Sequence, residues 1–288
     1  MLDRIKYFAD NSETLKQARI NVEEISPIKE IGIFIALFLV LCVFLLIFQY
    51  IFWIFSPINE ATFFSLGGFI AVPFVIYFFV TKIEKRSWRS IGFSKGNAFF
   101  STLKGLIIGF LMFSAIVAVG MLLGQFTFDG YDLSSLVYII PCFVIFVIQC
   151  FGEEIYTRGW TMTYFYKRHS IFLSILINSI IFLIPHLSNL GIDLVSIVNI
   201  FIIGIVFAVM FLRFDNIWIC CGAHTAWNFS QGIIYGFNVS GISTPTLLKC
   251  SHTGQNLING GVFGPESGLI ATFVIIIALI LVVYWPKH

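Results

Sequence analysis

The chain consists largely of long apolar runs that alternate with short polar segments. Several runs approach or exceed the roughly 20 residues that a spanning helix needs, whereas a membrane β-barrel would show short strands of alternating hydrophobicity. The pattern therefore predicts an all-α fold, a polytopic transmembrane helical bundle of about eight spans. The expected spans lie at 31–55, 62–81, 99–124, 135–166, 170–187, 193–212, 216–237 and 267–285.

Composition supports the membrane class. Of the 288 residues, 58% are hydrophobic and 11% are charged, and the mean hydropathy is +0.95. Soluble domains carry about 25% charged residues, so we expect an integral membrane protein. The formal net charge of +2 gives no basic field for nucleic acid, which is not an expected partner. Residues 1–30 lack the apolar core of a cleavable signal peptide, so the first span is expected to direct its own insertion.

The positions of the basic residues predict how the bundle is oriented. An even number of spans places both termini on one side of the membrane. Arg158 falls within the predicted span 135–166. All but one of the other basic residues are predicted to lie on the side of the termini, and these are Arg4, Lys6, Lys16, Arg19, Lys29, Lys82, Lys85, Arg86, Arg89, Lys95, Lys104, Lys167, Arg168, Arg213 and Lys287. The opposite connections contain only Lys249. By the positive-inside rule, both termini are predicted to be cytoplasmic.

The sequence divides into two parts. Residues 1–30 mix both charge signs and contain few large apolar side chains, which predicts a cytosolic or interfacial amino-terminal segment. Residues 31–288 form the predicted membrane domain, with a catalytic core at about 135–235. Residues 238–266, rich in Gly, Ser, Thr and Asn, are expected to form an external loop suited to gating a cavity. The absence of an internal repeat weakens an inverted-repeat transporter interpretation.

Three polar clusters interrupt the apolar runs. They consist of Glu153, Glu154 and Arg158, of His186, and of His224 and Asn228. Each Glu or Arg at a helix centre is unfavourable by about 2.5–3.5 kcal/mol, so these residues need partners or a function. By helical rise, Glu153 lies about 21 Å from Lys167 and His186 about 24 Å from Ser170. The clusters are therefore predicted to converge well inside the bilayer, in a water-filled cavity.

The spacing within the clusters indicates roles. Glu154 and Arg158 are four residues apart on one helical face, in the orientation that favours an ion pair. Glu153 is then expected to lack a local partner, which suits a general base. His224 and Asn228 also share a face, and together they would stabilise a developing oxyanion.

Other catalytic arrangements find no support in the sequence. There is no His-Glu-x-x-His helix, no Gly-x-Ser-x-Gly elbow and no phosphate-binding loop. No serine or cysteine has a local base, so activated water is the expected nucleophile. A lone intramembrane His or Asn often only forms a hydrogen bond between helices. It is therefore the three polar clusters together that indicate a function. Pro185 is expected to bend the helix beside His186.

These residues resemble the CPBP intramembrane protease family, also called the CAAX protease and bacteriocin-processing (Abi-like) group, which is related to the eukaryotic prenyl-protein endopeptidase. Three motifs match in order. They are Glu-Glu-x-x-x-Arg at Glu153 to Arg158, Phe-x-x-x-His at Phe182 to His186, and His-x-x-x-Asn at His224 to Asn228. The resemblance extends over roughly residues 135–235 of the chain.

The resemblance implies hydrolysis of a peptide bond within the membrane. The implied catalytic residues are Glu153, His186, His224 and Asn228, and the implied supporting residues are Glu154 and Arg158. Glu153 and His186 would activate water, and His224 with Asn228 would stabilise the tetrahedral intermediate. Glu153, His186 and His224 would also suit a three-ligand catalytic zinc site with an open water position. A metal-free mechanism uses the same residues, so zinc is the one candidate cofactor and both mechanisms stay open.

The expected function is that of an intramembrane endopeptidase acting on a small hydrophobic or lipid-associated peptide. Bacteriocin maturation, self-immunity and peptide signalling are the expected settings, and membrane lipid and a hydrophobic or lipidated peptide are the expected partners. Richness in Phe and Ile, without an organelle signal, favours a bacterial plasma membrane. The alternatives are a non-proteolytic membrane scaffold or regulator, and a proton-coupled carrier that uses the same intramembrane residues.

Overall fold

A computed structural model of the chain describes residues 1–20, 22–56, 61–94 and 98–285. Lys95, Lys287 and most of the predicted 56–61 connection lie outside the described residues. Two short helices come first, α1 (Leu2–Asp10) and α2 (Glu13–Ala18). Six long helices follow: α3 (Pro27–Ile54), α4 (Ala61–Ile83), α5 (Ala98–Leu122), α6 (Leu133–Tyr166), α7 (Ile171–Ser188) and α8 (Leu194–Phe214). In the described residues, the remaining α-helices are α9 (Trp218–Phe229), α10 (Asn256–Asn259) and α11 (Leu269–Tyr284), and the strands are β1 (Phe126–Tyr131) and β2 (Leu248–His252).

This architecture confirms the predicted polytopic helical bundle. The helices α3 to α8 are long and apolar enough to cross a membrane. The regions predicted as the seventh and eighth spans contain α9 and α11, which are shorter helices. The count of eight spans and the cytoplasmic side of the termini therefore stay predictions.

Polar caps set the starts of several long helices. Ser26 accepts a hydrogen bond from the backbone of Lys29, and Pro27 occupies the first turn of α3, where its missing N–H costs nothing. Ser170 caps α7 in the same way. Asp193 and Ser196 form a reciprocal capping box at the start of α8. These caps fix where α7 and α8, two of the helices that carry the site, begin.

The amino-terminal segment packs onto the end of the bundle that carries both termini. The Asp215 carboxylate, at the end of α8, accepts hydrogen bonds from the Ser12 hydroxyl and from the backbone N–H of Thr14, the latter at 3.1 Å. Arg4 donates to the carbonyl oxygen of Val283 near the end of α11, at 3.3 Å. The helices α1 and α2 thus contact the membrane domain directly.

A buried ion cluster joins α4 to α6 at the same end. The Glu84 carboxylate accepts from Arg86 at 2.7 Å, from the Trp160 indole at 3.2 Å, and from Lys167. Burial opposes ionisation of Glu84, but Arg86 and Lys167 more than offset it and lower the pKa of the carboxyl. Burial lowers the pKa of Lys167 to about 8, despite the attraction of Glu84. Lys167 is therefore still a cation at neutral and acid pH.

Close packing of α5 against α9 sets the position of the third polar cluster. A Cβ at Gly109 would lie 2.0 Å from the carbonyl oxygen of Ala223, and a Cβ at Gly105 would be almost equally close to α9. Gly222 faces α5 in the same manner. Small residues at this spacing let two helix backbones touch. The contact holds α9, and with it His224, at a fixed depth and rotation.

The opposite end of the bundle carries the β-ribbon and the 238–268 loop. Strands β1 and β2 are antiparallel, with a bulge between Phe128 and Gly130. The loop is tied to the helices by a hydrogen bond of 2.6 Å from the Gln231 amide to the carbonyl oxygen of Asn238. The predicted external loop is thus a folded cover that contains β2 and α10, while its gating role stays a prediction.

Candidate active site

All three polar clusters lie where a helix departs from α geometry. The departures are a π-helical segment Ile155–Met162 directly after Glu154, a 3₁₀ segment Ile184–Ser188 around His186, and a π-helical segment Ser230–Ile234 just beyond Asn228. Pro185 lies within the second, where its missing N–H breaks the regular hydrogen bonding. Such changes re-aim neighbouring side chains and are frequent at functional sites.

The clusters meet at one cavity of about 390 Å³. Its walls come from α3, α4, α6, α7, α8, α9, the 238–268 loop and α11. Glu153, His186, His224 and Asn228 all line it. The predicted convergence of the clusters on one cavity is therefore confirmed, while the depth of the cavity in a bilayer and its water content stay predictions. The volume lies in the range of roughly 300–1,000 Å³ that small-molecule and peptide-fragment sites occupy.

Glu154 and Arg158 form a buried ion pair behind the cavity, as their spacing predicts. Arg158 Nη1 donates to Glu154 Oε1 at 2.9 Å, and both side chains are 0% exposed. Arg158 Nη2 also donates to the carbonyl oxygen of Gly204 at 3.2 Å, and its guanidinium carbon lies 4.2 Å from the centre of the Phe182 ring. These partners stabilise the buried pair only in part, because Glu154 Oε2 and Arg158 Nε have no hydrogen-bond partner among the described residues.

Glu154 also orients His224. The Nδ1 atom of His224 lies 3.0 Å from Glu154 Oε1, and since a carboxylate only accepts, Nδ1 carries the donated proton. The other ring nitrogen, Nε2, then faces Glu153, whose Oε2 is 3.9 Å away. The Phe207 ring packs against the imidazole at 5.4 Å. Glu154 thus connects Arg158 to His224 and fixes which nitrogen faces Glu153.

His186 presents the same nitrogen to the cavity. Its Nδ1 lies 3.0 Å from the carbonyl oxygen of Phe182, one turn earlier, and donates to it. The Phe182 ring packs beside the imidazole at 5.2 Å between centroids. The free Nε2 of this half-buried histidine is therefore the atom available to a reacting group.

Glu153 has a local partner, contrary to the expectation from sequence. Gln149, one turn earlier on α6, donates from Nε2 to Glu153 Oε1 at 2.9 Å. The second oxygen, Oε2, has no hydrogen-bond partner among the described residues. Gln149 Oε1 in turn accepts from Asn228 Nδ2 at 3.3 Å. A polar residue one turn before Glu153 in an apolar span was the signal for this link between two motifs.

Cys150 lies beside the site but outside the cavity. Its thiol is fully buried, and Asn228 Nδ2 lies 3.4 Å from its Sγ. It is absent from the cavity wall formed by the described residues. A thiol without access to the cavity is not placed to attack a substrate bound there.

The three candidate zinc ligands are not grouped as a metal site. Within residues 1–20, 22–56, 61–94 and 98–285, no set of three or more His, Cys, Asp or Glu side chains is arranged to hold a metal ion. Glu153 and His224 approach each other, but His186 does not complete a ligand set with them. Zinc binding by these residues stays a prediction.

Residues 134–230 match the sequence model of a family described as Type II CAAX prenyl endopeptidase Rce1-like. The match spans about a third of the chain. It includes the residues of all three polar clusters, from Glu153 to Asn228. Neither a curated protein nor a solved structure matches the chain.

Proposed function

We propose that this chain belongs to the CPBP/CAAX protease family, whose sequence model its residues 134–230 match, and that it hydrolyses a peptide bond inside the membrane by means of activated water. The match to a protease family supports an enzyme, and the apolar helices support an integral multi-pass membrane protein. The single observation that carries the mechanism is the convergence of Glu153, His186, His224 and Asn228 on one cavity.

Glu153 is the proposed general base. Gln149 holds one carboxylate oxygen, and the other is free to take a proton from a water molecule. The hydroxide oxygen then attacks the carbonyl carbon of the scissile bond. The Nε2 lone pair of His186 accepts a second hydrogen bond from the same water and helps to orient it. General bases of this kind contribute about 10²–10⁴-fold to a rate.

Asn228 and His224 are the proposed partners of the tetrahedral intermediate. The Asn228 amide donates to the oxyanion, and His224 does so whenever its Nε2 carries a proton. Glu154 accepts a hydrogen bond from the Nδ1–H of His224 in either state, which keeps the ring in place. The intermediate collapses when the C–N bond breaks and Glu153 returns its proton to the leaving nitrogen.

The proposed substrate is a small hydrophobic or lipid-associated peptide, because the reacting groups lie among apolar helices within the described bundle. We propose the plasma membrane of a bacterium as the location, with cytoplasmic termini, and bacteriocin maturation, self-immunity or peptide signalling as the setting. The location and orientation are supported by the charge distribution and composition of the sequence, and the setting by the resemblance to the CPBP family.

The test compares peptides from membranes and medium of cells that express wild type, Glu153→Gln or His186→Ala at equal protein levels. Glu24→Gln is the matched control, since it removes the same charge from an exposed carboxylate far from the cavity. We expect a fragment made by wild type and the control and absent from the other two. Equal peptide profiles with an unchanged host phenotype would instead favour a scaffold, and pH-gradient-dependent transport would favour a carrier.

Zinc held by Glu153, His186 and His224 is the alternative way to activate the water. Since these side chains are not arranged as a ligand set, we expect purified protein to cleave its substrate in a strong chelator. Stoichiometric zinc in the active protein, with activity lost on chelation and restored by zinc, would replace the metal-free mechanism.

A further inference from the structure

A second carboxylate, besides that of Glu153, lines the cavity. Glu266 lies in the short turn Pro265–Ser267 that precedes α11, outside the segment that matches the protease family. The buried Asn199 amide donates to the carbonyl oxygen of Glu266 at 2.9 Å and to that of Gly268 at 3.0 Å. These hydrogen bonds hold the backbone of Glu266 against α8, so the position from which its side chain extends is fixed.

Only neutral groups hold the Glu266 carboxylate. Its Oε1 accepts from the Ser240 backbone N–H at 2.6 Å and from the Ser240 hydroxyl at 2.8 Å, and its Oε2 accepts from the Trp227 indole at 3.3 Å. Among the described residues, no Lys, Arg or His nitrogen lies within 4.0 Å of it, whereas Glu30, Glu84 and Glu154 all have cationic partners. The donors satisfy its hydrogen bonds but leave its charge unbalanced.

The surroundings of Glu266 favour a positive charge. In the described part of the chain, the ionisable residues on the cavity wall are Glu153, His186, His224 and Glu266, without any Lys or Arg. A carboxylate in a partly desolvated cavity gains most from a cation that arrives with the ligand.

Glu266 lines the same cavity as the proposed reacting groups. Its partner Trp227 directly precedes Asn228, the proposed oxyanion donor, on α9. We propose that Glu266 is a specificity-determining residue that binds the cationic group of a peptide substrate, a Lys or Arg side chain or a free α-ammonium group, close to the scissile bond. The inference rests on the proposed proteolytic function and deepens it, since it names the charge of the substrate.

A purely structural role makes a different prediction. Glu266 joins Ser240 of the 238–268 loop to Trp227 of α9, so its hydrogen bonds also hold this loop over the cavity. Holding the loop against α9 requires hydrogen bonds but no net charge. Loss of these hydrogen bonds would slow the cleavage of all substrates alike. Charge recognition instead changes the ratio between substrates. Ser240→Ala is the matched control, because it removes one of these hydrogen bonds and keeps the carboxylate.

The experiment uses full-length wild type, Glu266→Gln, Ser240→Ala and Glu153→Gln in phosphatidylcholine vesicles, whose neutral surface does not concentrate cationic peptides. The probe is a mixed-sequence library of hydrophobic decapeptides in matched sets. One set contains Lys or Arg, a second has Gln or norleucine at those positions, and each is made with free and with acetylated amino termini. Cleavage is followed by mass spectrometry, and thermal unfolding shows that the variants are folded.

We expect wild type and Ser240→Ala to cleave cationic peptides about 10- to 100-fold faster than their neutral counterparts, the range expected for one charge-assisted contact. Glu266→Gln should reduce that ratio to about one, with the change mainly in KM. The acetylated sets show whether the side chain or the α-ammonium group is bound.

Other outcomes would overturn the inference in distinguishable ways. Cleavage by wild type without charge preference, or a preference that survives in Glu266→Gln, would refute the role of Glu266 and leave proteolysis standing. A uniform loss in both Glu266→Gln and Ser240→Ala would establish a purely structural role instead. No cleavage beyond that of Glu153→Gln would overturn the proposed function, and this inference with it.

Discussion

Replacement of Gly109 by alanine tests whether the contact between α5 and α9 positions the site. The added Cβ would lie 2.0 Å from the carbonyl oxygen of Ala223, where ordinary contact begins at 3.4 Å. A backbone atom cannot rotate away as a side chain does, so the helices must separate locally by roughly 1.4 Å, a displacement typical of overpacked cores.

The expected loss of stability is modest, whereas the expected loss of activity is large. Overpacking costs about 1–3 kcal/mol, and the better helix propensity of alanine returns about 1 kcal/mol, so the free energy of unfolding should fall by about 0–2 kcal/mol. The next residue after Ala223 is His224, whose Nδ1 must stay 3.0 Å from Glu154. A misplacement of about 1 Å can cost 10²-fold in rate, so activity should fall about 10²-fold.

The assay pairs thermal unfolding of detergent-purified protein with the rate at which membranes release the wild-type fragment. Gly32→Ala is the matched control, because that glycine lies in α3 with no atom within 4 Å of its added Cβ. The control should keep full activity and equal or greater stability. A Gly109→Ala protein with wild-type rate and stability would refute the positioning argument.

Three further predictions follow from the buried polar groups. Glu154→Gln should reduce kcat about 10- to 100-fold by loosening the orientation of His224, and an unchanged kcat would argue against that role. Cys150→Ser should keep its cleavage rate, since the thiol is outside the cavity, and an inactive folded variant would reinstate a thiol nucleophile. Glu84→Gln should unfold more easily than wild type at pH 7, because it leaves Lys167 buried without its carboxylate partner. The difference should shrink as the pH falls below 4.5, since the stability due to ionised Glu84 is lost as the pH passes its lowered pKa; chemical denaturation at several pH values measures this.

The sequence was sufficient for the features that depend on helical geometry. Helical rise predicted the convergence of Glu153, His186 and His224, because the axial distance along a helix depends only on residue number. The same argument predicted the ion pair of Glu154 and Arg158, which the structure confirms even though the helix becomes π-helical directly after Glu154. Local spacing succeeds when both partners lie on one helix.

The features that the sequence did not reveal depend on contacts between distant segments. Glu266 reaches the cavity because Asn199 and Ser240 hold it there, and nothing in the spacing of the loop encodes that contact. The partner of Glu153 could have been predicted, because Gln149 is a polar residue one turn earlier in an otherwise apolar span. Gly105 and Gly109 likewise carried a small-residue signal for close helix packing.

The adjacent residues Glu153 and Glu154 have opposite proposed roles because consecutive residues on a helix point about 100° apart. Glu154 points into the protein, where Arg158 balances its charge and His224 donates to it, so it is committed to structure. Glu153 points to the cavity, where a neutral amide holds one oxygen and leaves the other free. The same side chain thus becomes an orienting group or a reactive one according to its surroundings. By that reasoning Glu266, which is held by neutral donors alone and faces the same cavity, has a charge that is available to a substrate.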